Sequence, residues 1–297
     1  MDPAGYRWWY VDALSDDGRS GLTVIALIGS VFSPYYAWSR RRDAFDHVAL
    51  NVALYGDGGK RWAMTERRRS ALERAPDRLQ IGPSAMCWDG TALTIDIAEV
   101  GAPLPFPIRG TIRLEPTVLT DAAVLLSEAG GHRWLPIAPM ARVEVTMTQP
   151  QRRWSGEGYL DTNWGQRALE VDFARWHWSR ARLADGAAIL YDVVTKQGDD
   201  QALGFRVDER GNVSRFDPPP RAQLPRTGWR VDRWTQSEGS ATVRRTLEDT
   251  PFYARSVVNQ RLFGASVDAM HESLMLDRFR ARWVQVLLPF RMPRTWS

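Results

Sequence analysis

Apolar and polar residues alternate with a period of two through much of this chain, in short stretches cut by Gly, Pro, Asn and Asp. Residues 91–100 (TALTIDIAEV), 110–115 (GTIRLE) and 142–148 (RVEVTMT) all carry the pattern. Successive strand side chains point to opposite faces, so this period marks half-buried antiparallel strands. Residues 205–208 and 213–216 flank Glu209-Arg210-Gly211-Asn212 and read as a hairpin. Many short strands with frequent turns lead to barrels or sandwiches. The expected fold class is therefore all-β, antiparallel, with few short helices. Two segments read as helices: residues 65–75 (TERRRSALERA), closed by Pro76, and residues 120–129 (TDAAVLLSEA), closed by Gly130-Gly131.

At 297 residues the chain is long enough for two β units. The boundary is expected near Thr148-Gln149-Pro150-Gln151, where a strand ends, polar turn residues follow and an aromatic strand starts at Trp154. That gives units of 1–150 and 151–297. The stretch 21–38 (GLTVIALIGSVFSPYYAW) reaches the length of a membrane span only by including Thr, Ser, Gly and Pro, and reads as a buried strand and turn. The N-terminus lacks a basic region followed by an apolar core, so no signal peptide is read there. The C-terminal run 283–290 (WVQVLLPF) reads as a final core strand or, with Arg291 and Arg294 beside it, as a lipid-contacting surface.

Charge excludes some partners. The net charge is +4, with short runs at Arg40-Arg41-Arg42 and Arg67-Arg68-Arg69. These suit a solvated surface or anionic lipid head groups, and no nucleic-acid module accompanies them. The single cysteine, Cys87, forbids an intramolecular disulfide and a cysteine-rich metal site, and reads as a small buried hydrophobe. His47, His177 and His271 are scattered without metal-ligand spacing, so no metal is expected. Gly56-Asp57-Gly58-Gly59-Lys60 is a hairpin turn rather than a phosphate loop.

Two motifs carry the chemistry. His132-Arg133-Trp134 is a His-x-Trp and Tyr159-Leu160-Asp161 a Tyr-x-Asp. In strands, each aims an aromatic ring and a proton-active group at one space. A carboxyl, an imidazole and two aromatic rings suit a reaction in which an apolar substrate becomes briefly cationic. Fourteen Trp in the chain fit a wide apolar cavity. The simpler readings are an Asx-type turn for Asp161, an exposed loop for His132 and core packing for Trp134. Asp12, after Trp8-Trp9-Tyr10, could line the cavity, with packing favoured.

The chain resembles the carotenoid 1,2-hydratases, also called hydroxyneurosporene synthases, of phototrophic bacteria. The resemblance runs through residues 5–38, 46–56 (DHVALNVALYG), 61–67 (RWAMTER), 156–165 (GEGYLDTNWG) and 173–180 (FARWHWSR). It implies addition of water to the terminal C1=C2 double bond of an acyclic carotene such as neurosporene or lycopene, giving a tertiary alcohol without a cofactor. It implies two lipocalin-like β units and functional groups at His132, Trp134, Tyr159 and Asp161. Asp161 would then protonate C2, for which its carboxyl pKa must be raised by an apolar setting. Trp134 and Tyr159 would face the cation at C1. His132 would take a proton from the attacking water or hold Asp161 protonated. A water-insoluble substrate implies peripheral attachment at the cytoplasmic face of a membrane. The competing readings are a carrier of a long apolar ligand and a polyene isomerase or cyclase on the same scaffold.

Overall fold

The computed structural model describes residues 4–56, 58–127, 130–198 and 200–295. It is 61% strand and 10% helix, as the alternation requires. The chain forms two compact units: Met1–Ala168 with Val286–Ser297, and Leu169–Gln285.

The first unit is built from β1 (Tyr6–Ser15), β2 (Gly21–Ile28), β3 (Val48–Tyr55), β4 (Arg61–Arg67), β5 (Leu72–Ala75), β6 (Arg78–Ile81), β7 (Ser84–Trp88), β8 (Leu93–Val100), β9 (Pro107–Val118), β10 (Val124–Ser127), β11 (His132–Gln149) and β12 (Gln151–Gly165). They make one antiparallel sheet in the order β4-β3-β2-β1-β12-β11-β9-β8-β7-β6-β5, with β10 beside β11. The sheet curls into a half-barrel. Arg67 at the end of β4 consequently reaches β8, donating to Glu99 Oε2 at 2.7 Å, and Ser84 donates to Oε1 at 2.8 Å. Burial pushes the Glu99 carboxyl above its ordinary pKa, while Arg67 and Ser84 pull it down. One face of the sheet presents Val11, Val24, Val52, Ile95, Val143 and Leu160 to an apolar core. The opposite face of β1 and β12 is also buried but carries polar and aromatic groups, because residues 158–163 are buried without alternation. That second face holds the candidate site.

The second unit contains β13 (Phe173–Leu183), β14 (Gly186–Thr195), β15 (Asp200–Asp208), β16 (Val213–Phe216), β17 (Arg221–Leu224), β18 (Arg233–Gln236), β19 (Thr242–Asp249), β20 (Tyr253–Leu262) and β21 (Ala265–Met275). A seven-stranded antiparallel sheet runs β16-β15-β14-β13-β21-β20-β19, and β17 pairs with β18. The expected hairpin is β15–β16. His177 on β13 and His271 on β21 are buried, with ring centroids 6.2 Å apart. Burial, then the neighbouring His271, Arg175 and Arg221 charges, holds His177 well below the ordinary imidazole pKa. Burial pushes His271 down to about 4. The unfolded chain takes up these protons near pH 6.5 and the folded unit does not. Stability is therefore fully present above that pH and is lost as pH falls toward 4. For His271 the loss amounts to about 3 kcal/mol. Urea unfolding at about pH 7 and about pH 4.5 measures it. His271→Gln is expected to reduce the pH dependence; an unchanged slope would remove His271 from this account.

Several expectations need correction. The turn at 149–151 joins β11 to β12 within one sheet, and β12 also pairs with β1 over its whole second half. The units therefore divide at 168/169 rather than at 150/151, and the described residues from Val286 onward belong to the first unit. A turn signal marks where a strand ends and is silent on which sheet the next one joins. Residues 65–75 are not a helix: they complete β4, make a short 3-10 turn at Arg69–Ala71 and form β5. Pairing of β4 with β3 and of β5 with β6 overrides helix-forming side chains. Within 120–129, Val124–Ser127 is a strand on β11, and Glu128 and Ala129 lie outside the described residues. Asp57 of the expected 56–60 turn also lies outside them, while β3 and β4 pair on either side. Cys87 is half-buried, with Arg78 donating to Sγ at 3.1 Å.

The stretch 21–38 is β2, a turn and the short helix α1 (Pro34–Trp38), capped by Ser33. Among the described residues three further helices follow: α2 (Leu169–Asp172), α3 (Leu276–Phe279) and α4 (Arg282–Leu287). The run 283–290 is thus α4 and a 3-10 turn at Leu288–Phe290, not a core strand. No helix among the described residues is long and apolar enough to cross a membrane. Beyond this turn, Pro293 and Thr295 exchange backbone hydrogen bonds with Glu66 on β4. The Arg294 side chain is 4% exposed there, paired with Glu66 and donating to Asp46 Oδ2 at 2.9 Å.

Candidate active site

Strand register places the four motif residues on one face. Tyr159 and Asp161 are two apart on β12, and Trp134 lies opposite Asn163 on the neighbouring β11. His132 is two residues further along β11, at the level of Gly165. Directly after Trp134 the β11–β12 register shifts, between Leu135 and Ala138. Such irregularities re-aim side chains beside functional sites. On the other side of β12, Tyr6, Trp8, Tyr10 and Asp12 of β1 lie opposite Gly165, Asn163, Asp161 and Tyr159. The face is thus lined by alternating residues of three strands.

Three of the four residues meet directly. The Trp134 indole N–H donates to Asp161 Oδ2 at 3.0 Å and approaches the Tyr159 hydroxyl at 3.2 Å. The Tyr159 hydroxyl donates to the same Asp161 oxygen at 2.8 Å. An oxygen that accepts two donors is held as an acceptor, so a protonated Asp161 carries its proton on Oδ1. Trp134 and Tyr159 are fully buried, and Asp161 is 3% exposed. None of the three is a turn or surface residue. Trp134 also uses its polar edge, beyond simple packing.

His132 is fully buried in β11 rather than in an exposed loop, and its Nδ1 is joined to the Tyr6 hydroxyl at 2.9 Å. The rings of Tyr6 and His132 stack at 5.8 Å, and Trp8 stacks on Tyr6 at 4.9 Å. Gly165 makes room for the pair, since a Cβ there would lie 2.6 Å from His132 Nδ1. Tyr10 meets Tyr159 edge-on at 6.2 Å.

The sequence reading missed Tyr6 and Tyr10 and set Asp12 aside as packing. The signal was the alternation itself: Tyr6-x-Trp8-x-Tyr10-x-Asp12 has the period of a strand and aims all four residues one way. Among the described residues no group of three or more His, Cys, Asp or Glu side chains is arranged to hold a metal ion.

The carotenoid hydratase CrtC family model matches residues 24–297, which includes all four motif residues. The chain belongs to the carotenoid hydratase family. Its relatives include the acyclic carotenoid 1,2-hydratase of Thiocapsa roseopersicina, 56% identical over 99% of this chain and 74% of that one. The enzyme of the same name from Rubrivivax gelatinosus is 48% identical with the same coverage. Among solved structures, a protein described as AttH from Nitrosomonas europaea superposes with a TM-score of 0.63 over 91% of this chain and 92% of that one, at 16% identity. That likeness shows the lipocalin-like fold of this carotenoid hydratase family member.

Proposed function

We propose that this chain is an acyclic carotenoid 1,2-hydratase in which Asp161 is the proton donor. Family membership supports the reaction, and the observation that carries the donor assignment is the pair of hydrogen bonds converging on Asp161 Oδ2. An isolated alkene is a weak base, so hydration needs a strong acid held in place. Trp134 and Tyr159 fix the carboxyl so that Oδ1 delivers its proton to C2. The positive charge then develops on the tertiary carbon C1, beside an aromatic wall of Tyr6, Trp8, Tyr10 and Tyr159. Aromatic faces attract such charge by about 0.5–2 kcal/mol each. Water adds at C1 and gives the tertiary alcohol. His132, anchored by Tyr6, closes the end of the row beyond Trp134. Incubation of the purified protein with lycopene or neurosporene tests the reading: the product is expected to be heavier than the substrate by one water. A protein that binds carotene and returns it unchanged would be a carrier.

The substrate is long, apolar and insoluble in water, so the enzyme takes it from a bilayer. The proposed contact is the exposed apolar surface at the end of α4 and the turn after it, residues 286–290. In the first unit, Val286, Leu287 and Phe290 are 63%, 43% and 67% exposed. Their spacing places them on one side of the helical segment, while Leu288 is buried on the other. Arg291 follows Phe290 directly in the same unit. Apolar insertion with basic flanks gives reversible binding to anionic lipid. The protein is expected to pellet with anionic liposomes and to leave them in high salt or mild detergent. Val286→Glu with Phe290→Glu should lower the bound fraction roughly tenfold. Absence of binding to liposomes of any charge, with full activity on detergent-dispersed carotene, would defeat the membrane proposal and leave the chemistry untouched.

A further inference from the structure

Hydration needs a base as well as an acid, and the site contains a second carboxyl. Asp12 on β1 is fully buried and lies directly opposite Tyr159 on β12. It therefore shares the face of Asp161, displaced by one strand and two residues. Diagonal neighbours across an antiparallel pair are roughly 7–8 Å apart. Acid and base carboxyls that must hold a water and a reacting carbon between them need about 6.5–9.5 Å. His132 stands at the Gly165 level, four residues along β12 from Asp161, or roughly 13 Å along the strand. Its Nδ1 is engaged by Tyr6. The double bond offers adjacent carbons to the two groups, which favours the nearer base.

A second observation points to the ligand. Thr23 on β2 lies directly opposite Asp12, on the other side of β1 from Tyr159. It is fully buried, and its Oγ1 has no hydrogen-bond partner among the described residues. Buried hydroxyls are as a rule partnered by protein or by an ordered water. A hydroxyl and a carboxyl side by side on a buried face make a place for one water molecule.

We infer that Asp12 is the base that accepts the proton of the attacking water, with Thr23 positioning that water. The inference rests on Asp161 being the donor. Asp161 Oδ1 gives its proton to C2 as the π pair forms the C2–H bond and leaves C1 cationic. The water oxygen bonds to C1, and its proton passes to the Asp12 carboxylate. One water is consumed. The proton then returns from Asp12 to Asp161. Tyr159, whose hydroxyl is bonded to Asp161 and whose backbone lies opposite Asp12 in register, is the proposed relay.

Deuterium oxide separates the two carboxyls. Asp12→Asn leaves the donor intact, so protonation and its reversal should still place deuterium at C2 of recovered carotene, while alcohol formation falls at least a hundredfold. Asp161→Asn should abolish exchange and hydration together, which tests the donor independently. Loss of exchange along with hydration in Asp12→Asn, or hydration within fivefold of the parent, would overturn the base assignment. A second variant, Asp12→Ala, is expected to regain at least tenfold in hydration rate with added formate and not with chloride. Absence of that recovery overturns it as well.

Discussion

Asp161→Asn is expected to reduce carotene hydration roughly a thousandfold while leaving carotene binding and the fold in place. The amide is nearly isosteric and its carbonyl oxygen still accepts from the Trp134 indole and the Tyr159 hydroxyl. What it lacks is the acidic proton on the other oxygen. The loss should therefore appear in kcat rather than in KM, because proton delivery is an interaction made in the transition state. Steady-state kinetics on detergent-dispersed lycopene, with circular dichroism of the variant, decide this. Activity within a few-fold of the parent would end the donor role.

The second large effect concerns stability. Arg294 and Glu66 are paired in the first unit with side chains 4% and 1% exposed. Asp46 and His47 adjoin them: Arg294 donates to Asp46, and Glu66 Oε1 meets His47 Nδ1 at 2.8 Å. Removing one member of a buried ion pair strands the other charge without compensation. Arg294→Met is thus expected to cost about 3–5 kcal/mol. For a unit of this size that lowers the midpoint of thermal unfolding by roughly 10 °C. Adding Glu66→Gln to the same chain should recover part of the loss, as a coupled pair requires. A shift no larger than that of an exposed arginine, such as Arg210→Met, would show that the C-terminal clamp contributes little.

The strands were legible because antiparallel sheets with one apolar face impose a period of two, and residues 91–100, 110–115 and 142–148 keep it. The site motifs were legible for the same reason: His132 with Trp134, and Tyr159 with Asp161, share a strand and a face. What the period does not carry is the neighbour of each strand. The sequence reading separated Trp154 from the strands before it, whereas β12 lies between β11 and β1. That same placement brings Asp12, 149 positions before Asp161, to its diagonal. Residues 65–75 misled because Glu, Arg, Ala and Leu favour helices locally, while pairing with β3 and β6 decides the outcome. The Arg294 clamp joins groups more than two hundred residues apart, and no local pattern announces such a pair.

The central claim is acid-catalysed addition of water led by Asp161. Anaerobic incubation with lycopene in heavy-oxygen water and, separately, in deuterium oxide tests it most directly, with mass spectrometry of the products. The account predicts a tertiary alcohol whose hydroxyl oxygen comes from the solvent and whose C2 carries one solvent-derived hydrogen, both absent in Asp161→Asn. An oxygen-free isomer or ring-closed product, or alcohol formed at the parent rate by Asp161→Asn, would contradict it.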